Sequence, residues 1–168
     1  MIDREYCVTM ARYSQWQNRE MLKRLETLPV EDLTKERGAF FGSIMGTINH
    51  LLWADQMWMS RFDRSKGPIG GIPESPKLTP TLAVWGAERF QTDGRILLWA
   101  EQVKSLDLVG DLKWFSGALG QSISRPAAVC IIHMFNHQTH HRGQVHAMMT
   151  QAGLSPAATD IPFMPEED

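Results

Sequence analysis

Apolar residues recur at three- and four-residue steps over four long stretches of the chain, a spacing that predicts amphipathic helices. The first predicted helix covers about residues 3–28, with Asp3 as its N-cap and Pro29 marking its end. The second covers about residues 43–62, with Ser43 in position to cap it. These two stretches predict the first half of an all-helical domain.

The second half of the chain carries two more helices. Thr79-Pro80 opens the third, because Thr is a good cap and Pro suits the first helical position, and this helix continues to about Ser105. The fourth begins at Pro126 and ends near Gly153, a natural C-terminal stop. Between them, residues 111–124 break the helical pattern and resemble a short hairpin, with its turn at residues 116–120. Residues 160–165 are expected to be extended and to pack on the surface.

The lengths of the connections constrain the topology. Residues 63–79 form a long link that is rich in Gly and Pro, whereas antiparallel neighbours normally need only about two to eight residues. A link of this length can cross a whole bundle, so the second and third helices are expected to run parallel. The prediction is an all-α fold: one four-helix-bundle domain over residues 1–168, with a long crossover between helices two and three and a hairpin-like insertion before helix four.

Composition and charge exclude several classes of function. The net charge is −2, and Lys and Arg are scattered, so nucleic-acid binding is not expected. The chain has no run of eighteen apolar residues and no apolar signal segment at its start, so no membrane association is expected. Its two cysteines are too few for a disulfide framework, and the expected location is the cytoplasm.

Five of the six histidines fall in the fourth helix: His133, His137, His140, His141 and His146. His137 and His141 lie four residues apart, which places both rings on one helical face about 6 Å apart along the axis. The remaining histidine, His50, stands among core-facing positions of the second helix. Neutral imidazole is the commonest ligand for zinc, nickel, copper and iron. The sequence therefore predicts a three-histidine metal site with an open coordination position, and buried histidines satisfied without a metal are the alternative.

Neighbouring polar residues have open roles. Gln144 is a candidate to orient a histidine ring or a bound water, and Asn49 and Asp55 either hold an imidazole or face solvent, with solvent preferred for Asp55. Arg142 is interpreted as a surface or dimer contact. Cys130 is interpreted as a small core residue rather than a fourth ligand. The chain has no Glu-x-x-His and no His-Glu-x-x-His, which argues against di-iron bundles and zinc peptidases.

Three segments resemble those of a known family. Residues 136–144, Asn-His-Gln-Thr-His-His-Arg-Gly-Gln, resemble the signature of the DinB family (the DinB/YfiT-like metalloprotein superfamily). Residues 49–55 resemble its second-helix motif, and residues 10–19 are similar to its first helix. The resemblance covers essentially the whole chain, and it implies an up-down-down-up four-helix bundle and a homodimer. It also implies a divalent metal, often zinc or nickel, bound by His50, His137 and His141; iron and manganese are alternatives.

The resemblance and the residues together give two function hypotheses. Members of the superfamily include metal-dependent thiol transferases and a thiol-dependent isomerase that act with low-molecular-weight thiols. The first hypothesis is therefore a metal-dependent enzyme, a thiol S-transferase or a hydrolase acting on a small molecule. The second is a non-enzymatic metal-binding protein for stress response or binding, in which a fourth protein ligand closes the site.

Overall fold

The structure, a computed structural model, describes residues 1–117 and 119–166 and is mostly helical. The described residues form five α-helices and one antiparallel hairpin. The helices are α1 (Arg4–Leu25), α2 (Val30–Thr34), α3 (Ile44–Phe62), α4 (Leu82–Gln102) and α5 (Ala127–Gln151), and the strands are β1 (Asp111–Ser116) and β2 (Gln121–Pro126). Short 3₁₀ turns at Ser75–Lys77, Ser105–Leu108 and Ile161–Phe163 lie in the connections. None of the helices in this described part is long and apolar enough to cross a lipid bilayer.

The two predicted caps of the first half are confirmed. Asp3 accepts a hydrogen bond from the Tyr6 N–H at 2.8 Å, and Ser43 accepts one from the Gly46 N–H at 3.0 Å. Helix α1 ends at Leu25, three residues before the predicted end. Proline disfavours helical backbone in the residue before it, so the helix stops short of Pro29. Pro29 then serves as the N-cap of the short helix α2, which the sequence pattern did not predict.

The predicted start of the third helix was wrong by two residues, because Thr81 and not Thr79 is its N-cap. Helix α4 begins at Leu82, and Thr81 rather than Thr79 accepts a hydrogen bond from the Val84 N–H at 3.3 Å. Thr79 is buried, and its hydroxyl donates to Asn49 Oδ1 at 2.7 Å. Because that hydroxyl is committed to α3, it does not cap the helix that follows. The helix also ends earlier than predicted, at Gln102.

The hairpin follows the predicted pattern, whereas the tail follows it only in part. Strands β1 and β2 pair antiparallel with Trp114 opposite Ile123, and Ala118 in the predicted turn lies outside the described residues. The tail lies against α1 through backbone carbonyls: Thr159 accepts from the Tyr13 hydroxyl at 2.8 Å, and Ala158 accepts from Gln17 at 2.9 Å. These two residues precede the segment 160–165, whose predicted extended conformation was wrong in part, because Ile161–Phe163 forms a 3₁₀ turn.

The four long helices pack in pairs around two apolar clusters. Helix α1 packs along α4 and α3 along α5, while α3 also contacts α4 and α1 contacts α5. One cluster contains Trp85, Ile48, Leu52, Val145 and Met148 with their neighbours. The other, at residues nearer the chain start of α1 and α5 and the chain end of α3 and α4, contains Cys7, Ala11, Met59, Ile96, Ile131, Met134 and Phe135.

A buried polar layer separates these two clusters. Each long helix contributes to it at its middle, and its members are Ser14, Asn18, Asp55, Arg89, Asp93, Gln138 and Arg142. The Arg89 guanidinium donates from Nη1 to Asp55 Oδ2 at 2.6 Å, and its Nη2 lies 2.8 Å from Asp93 Oδ1. Two carboxylates and two guanidinium groups give the layer a formal charge of zero.

Further hydrogen bonds of the layer reach α1 and α5. Asn18 donates from Nδ2 to both oxygens of Asp93, at 3.0 and 3.2 Å. Gln138 donates from Nε2 to Asp55 Oδ1 at 3.0 Å and accepts a hydrogen bond from the Ser14 hydroxyl. All four long helices are therefore connected through one set of hydrogen bonds and ion pairs.

Two sequence-based interpretations were wrong at this layer. Asp55, for which a solvent-facing position was preferred, is 1% exposed and paired with Arg89. Arg142, interpreted as a surface or dimer contact, is 4% exposed, with its guanidinium carbon 5.3 Å from the centre of the Tyr13 ring. Burial lowers the pKa of Arg142, while the charges of Tyr13, Asp55 and Asp93 act in the opposite direction. A pattern of apolar positions does not reveal charged residues that neutralise each other inside the core.

Replacing Arg89 with Met should destabilise the protein strongly. The substitution leaves the Asp55 and Asp93 carboxylates buried without their cation, and breaking a buried pair from one side costs about 3–5 kcal/mol. Urea unfolding followed by circular dichroism measures the change in the free energy of unfolding. The matched control is Arg95→Met, which breaks the partly exposed pair with Asp63 and should cost about 0–1 kcal/mol. Equal losses in the two variants would contradict the role given to the buried pair.

Candidate metal centre

Three histidines from two helices converge at one point. His50 lies in α3, His137 and His141 lie in α5, and one ligand atom from each falls within 4.8 Å of the others. The Nε2 atom of His137 lies 3.3 Å from Nε2 of His50 and 3.1 Å from Nε2 of His141. The structure thus brings together the three histidines that the sequence singled out, with their Nε2 atoms facing each other.

Hydrogen bonds fix which nitrogen of His50 carries its proton. The Ser75 hydroxyl donates its single hydrogen to the Ile72 carbonyl oxygen at 2.7 Å. The Ser75 hydroxyl oxygen lies 2.9 Å from His50 Nδ1. Because its hydrogen is used on Ile72, this oxygen accepts a hydrogen bond from an Nδ1–H group of His50. In the neutral ring, Nε2 then has a free lone pair directed at the other two histidines.

His141 is fixed in the same way by Gln144. Its Nδ1 atom lies 2.7 Å from the Gln144 amide oxygen, which can only accept, so Nδ1 carries the proton and Nε2 keeps its lone pair. The amide nitrogen of Gln144 lies 3.3 Å from Nε2 of His140, to which it can donate. Gln144 therefore orients a histidine ring, one of the two roles considered from the sequence.

The protonation behaviour of the three rings suits ligands. Burial, followed by the charge of His141, lowers the pKa of His50 to about 4. Burial, followed by the charges of the surrounding histidines, lowers the pKa of His137 to about 3. Burial also lowers the pKa of His141, against the opposing effect of Gln144. All three rings are neutral at neutral pH, the state in which imidazole binds a cation.

The donor set fits a metal ion. Without a cation, the cluster has at most one ring proton, on His137 Nε2, for the two lone pairs on the Nε2 atoms of His50 and His141. Nδ1 of His137 is buried and has no hydrogen-bond partner among the described residues. The metal-ligating group found in residues 1–117 and 119–166 contains these three histidines and no Cys, Asp or Glu. Cys130 is buried and is not part of the group, in agreement with its interpretation as a core residue.

A loop between α2 and α3 covers one face of the site. The Phe41 ring stacks on His50 with 3.8 Å between ring centres and 21° between ring planes, and it lies 5.4 Å from the His141 ring. A Cβ atom at Gly46, in the first turn of α3, would collide with the Phe41 carbonyl oxygen. Glycine at this position therefore allows the loop to approach α3 closely enough for the stacking contact.

Asn49 acts on the site through the long link between α3 and α4. Its side-chain amide donates to the carbonyl oxygens of Pro76 at 3.0 Å and Thr79 at 3.1 Å, and its oxygen accepts from Thr79. These bonds hold the segment that carries Ser75 against α3. Asn49 therefore does not touch an imidazole and does not face solvent, so neither role considered from the sequence applies.

A row of rings leads away from the three histidines along α5 and α3. The ring of His133 lies 5.6 Å from that of His137, and the ring of Trp58 lies 5.2 Å from that of His133. Trp114 of the hairpin contacts Trp58 edge to face at 5.7 Å. His133 and His140 are exposed beside the site and His146 is half-buried further along α5; none of the three belongs to the convergent group.

Sequence reasoning missed Ser75 and Phe41. Ser75 is 25 positions from His50 in the chain, within a link that has no helical or strand periodicity. Phe41 comes from a loop whose approach depends on the glycine in the following helix. The partners of Asn49, Pro76 and Thr79, are likewise 27 and 30 positions away in the chain. A pattern within a single helix has no information about such partners. The Gly- and Pro-rich composition of the link indicated a long connection but not which of its side chains reach the site.

Comparisons with known proteins agree with this architecture. The family model described as the DinB family matches residues 1–168. The chain is 25% identical over 162 residues to "Protein DinB" of Bacillus subtilis (strain 168), covering 93% of this chain and 91% of that protein. The crystal structure of a DinB-like protein from Bacillus cereus ATCC 10987 matches with a TM-score of 0.60 and 19% identity, covering 85% of this chain and 90% of that chain. The fold, the convergent histidines and the match over the full length together establish that this chain belongs to the DinB family.

Proposed function

We propose that His50, His137 and His141 bind a divalent metal ion and that the protein is a metal-dependent enzyme acting on a small molecule. The observation that carries the proposal is the convergence of three Nε2 atoms, two of which have lone pairs fixed by Ser75 and Gln144. Imidazole nitrogen favours zinc and nickel, and iron and manganese are the alternatives. The match of the whole chain to the DinB family supports the proposal but does not identify the metal.

The number of ligands favours catalysis over a structural role. Structural zinc sites normally have four protein ligands, whereas catalytic sites have three and an open position. The group formed by the described residues has three members, all of them histidines. A non-enzymatic binding protein, the alternative considered from the sequence, would be expected to close the site with a fourth side chain.

The chemistry we propose is a thiol S-transfer or a hydrolysis. A divalent cation held by three neutral imidazoles keeps its full charge and acts as a Lewis acid that lowers the pKa of a thiol or a water molecule. The chain's own residues orient the ligands and cover the site: Ser75 and Gln144 hold two rings in place, and Phe41 shields the face of His50 from water. The convergent group of the described residues contains no Asp or Glu, so no carboxylate stands among the ligands to act as a general base for water, which favours the thiol.

We also infer that the four long helices form an up-down-down-up bundle with a crossover between α3 and α4. The order of contacting residues supports this inference. Contacts between α3 and α4, and between α1 and α5, rise together in residue number: Ile48 with Trp85, Asp63 with Arg95, Tyr6 with Phe135 and Ser14 with Gln138. Contacts between α3 and α5, and between α1 and α4, run in opposite directions: His50 with His141, Trp58 with His133, Asn18 with Asp93 and Leu22 with Gly86.

Replacing His137 with Ala should abolish metal binding and leave the fold intact. His137 is the ligand whose Nε2 lies closest to both others, so its loss leaves two nitrogens on different helices. Elemental analysis of untagged protein should find about one metal ion per chain in the wild type and almost none in the variant. The matched control is His133→Ala, one turn earlier on the same helix and outside the convergent group, which should retain the metal. Full metal content in His137→Ala, or loss in His133→Ala, would contradict the assignment.

The open coordination position predicts a response to added thiol. In cobalt-substituted protein, 2-mercaptoethanol should produce a new near-ultraviolet absorption band and change the visible bands, because sulfur enters the cobalt coordination sphere. His137→Ala protein treated in the same way is the control and should give no band. An unchanged cobalt spectrum in the wild type would instead support a closed, non-enzymatic site.

Replacing Ser75 with Ala should weaken metal binding without removing a ligand. The hydroxyl fixes the proton of His50 on Nδ1, and removing such a partner typically lowers metal affinity about 10–100-fold. Competition with a chromogenic chelator measures the affinity. Ser60→Ala is the matched control, since that hydroxyl also donates to a backbone carbonyl but is bonded to no histidine. Equal affinity in Ser75→Ala and wild type would show that Ser75 does not position His50.

A further inference from the structure

Arg61 occupies an unusual position in the last turn of α3. Its guanidinium carbon lies 4.5 Å from the centre of the Trp58 ring and 4.9 Å from that of Trp114, so indoles from α3 and the hairpin both contact it. The side chain is half-buried. Arginine stacked on aromatic rings keeps its N–H donors at the edge of the plane, where they remain available to an acceptor.

This arginine has no acidic partner. Among residues 1–117 and 119–166, no hydrogen-bond acceptor and no carboxylate pairs with the Arg61 guanidinium. Two acidic residues at the same end of the molecule are engaged elsewhere: Asp63 pairs with Arg95, and Asp111 accepts from the Ser124 hydroxyl at 2.8 Å. Burial lowers the pKa of Arg61, while the charge of Cys130 acts in the opposite direction.

The row of rings connects Arg61 to the three histidines. From His137 the row passes to His133 at 5.6 Å and to Trp58 at 5.2 Å, and Arg61 stacks on Trp58. His133 is exposed, and Trp58 and Trp114 are half-buried, so the row borders solvent along its length. Aromatic faces of this kind bind the apolar body of a small molecule, and a cation at the end of the row selects its charge.

We propose that Arg61, held against the adjoining rings of Trp58 and Trp114, binds a carboxylate of the molecule that reacts at the three-histidine site. The proposal rests on the proposed function, because it assigns the other end of that molecule to the metal. It names the substrate class as an anionic small molecule with an apolar or extended middle section. Arg61 is thus a specificity-determining residue that contacts the substrate away from the reacting atoms.

A series of matched thiols tests the charge preference. Cobalt-substituted protein is titrated with ω-mercaptocarboxylates of increasing chain length, and each is compared with the ω-mercaptoalcohol of the same length. At the length that spans the row, the carboxylate should bind about tenfold more tightly than the alcohol, the size expected of a charge-assisted hydrogen bond. In Arg61→Gln this ratio should fall to about one, while alcohol affinity and metal content stay unchanged.

Two further variants separate charge selection from packing. Arg64→Gln removes the same charge from an exposed residue three positions later and should keep the preference. Thermal melts of all variants report folding. If Arg61→Gln is unfolded or loosened because it loses the contacts with the indole rings, Arg61→Lys is used as well. This variant keeps the positive charge and should retain most of the preference for the carboxylate. The absence of a preference in wild type at every length, or the same preference in wild type and Arg61→Gln, would overturn the proposal. A preference lost equally in Arg64→Gln would overturn it as well.

A metal-free measurement distinguishes this proposal from the proposed function. If cobalt does not bind, or responds to neither thiol, the proposed function fails. Metal-free protein is then titrated with octanoate and with octanol, and indole fluorescence is recorded. Octanoate should produce a saturable fluorescence change in the wild type that is absent in Arg61→Gln, since Trp58 and Trp114 both contact the guanidinium. If octanoate gives no saturable change in the wild type, or gives the same change in Arg61→Gln, the carboxylate site is ruled out.

Discussion

The ion pair between Arg89 and Asp55, with Asp93 on the other side of the guanidinium, is the constraint on which the rest of the structure depends. An isolated charge in this position would be prohibitively unfavourable, so each member requires the others at their observed places. The layer divides the interior into two apolar clusters. A carboxylate displaced from the layer would be buried without a partner, so the ion pairs restrict the axial positions of the long helices.

The same layer positions the candidate metal centre. Gln138 follows His137 directly in α5, and it donates to Asp55, which lies five residues after His50 in α3. The hydrogen bond that connects α3 to α5 therefore lies about one turn from the histidines that these two helices contribute. A shift of α5 by one turn along α3 would separate Gln138 from Asp55 and would carry His137 and His141 past His50. Because the buried carboxylate penalises that shift, the layer helps to hold α3 and α5 in the register that brings the three Nε2 atoms together.

The success of sequence reasoning followed the range of the interactions involved. Asp3 and Ser43 were identified as caps because a cap bonds to backbone three residues away, and His137 and His141 were paired because they are one turn apart. His50 was joined to them by elimination and by the family resemblance, since no local pattern connects α3 with α5. Asp55 and Arg142 were placed at the surface because a helical pattern assigns charged residues to solvent. Their burial depends on partners at least 34 positions away in the chain and on the opposite charges of the layer, which a helical pattern does not contain. Ser75 and Phe41 lie in loops, where side-chain direction has no period from which to predict it.

The four long helices contribute unequally to the buried layer and to the candidate metal centre. Helices α1 and α4 contribute Asn18, Arg89 and Asp93 to the buried layer and none of the convergent histidines, whereas α3 and α5 contribute to both. On α3 and α5, the convergent histidines are buried or half-buried, the layer residues Asp55 and Gln138 are buried, and on each helix they lie within about one to two helical turns of each other. The neutral imidazoles can lie close to these ion pairs because the Asp55 and Asp93 carboxylates are directed at Arg89, which leaves the histidine lone pairs free.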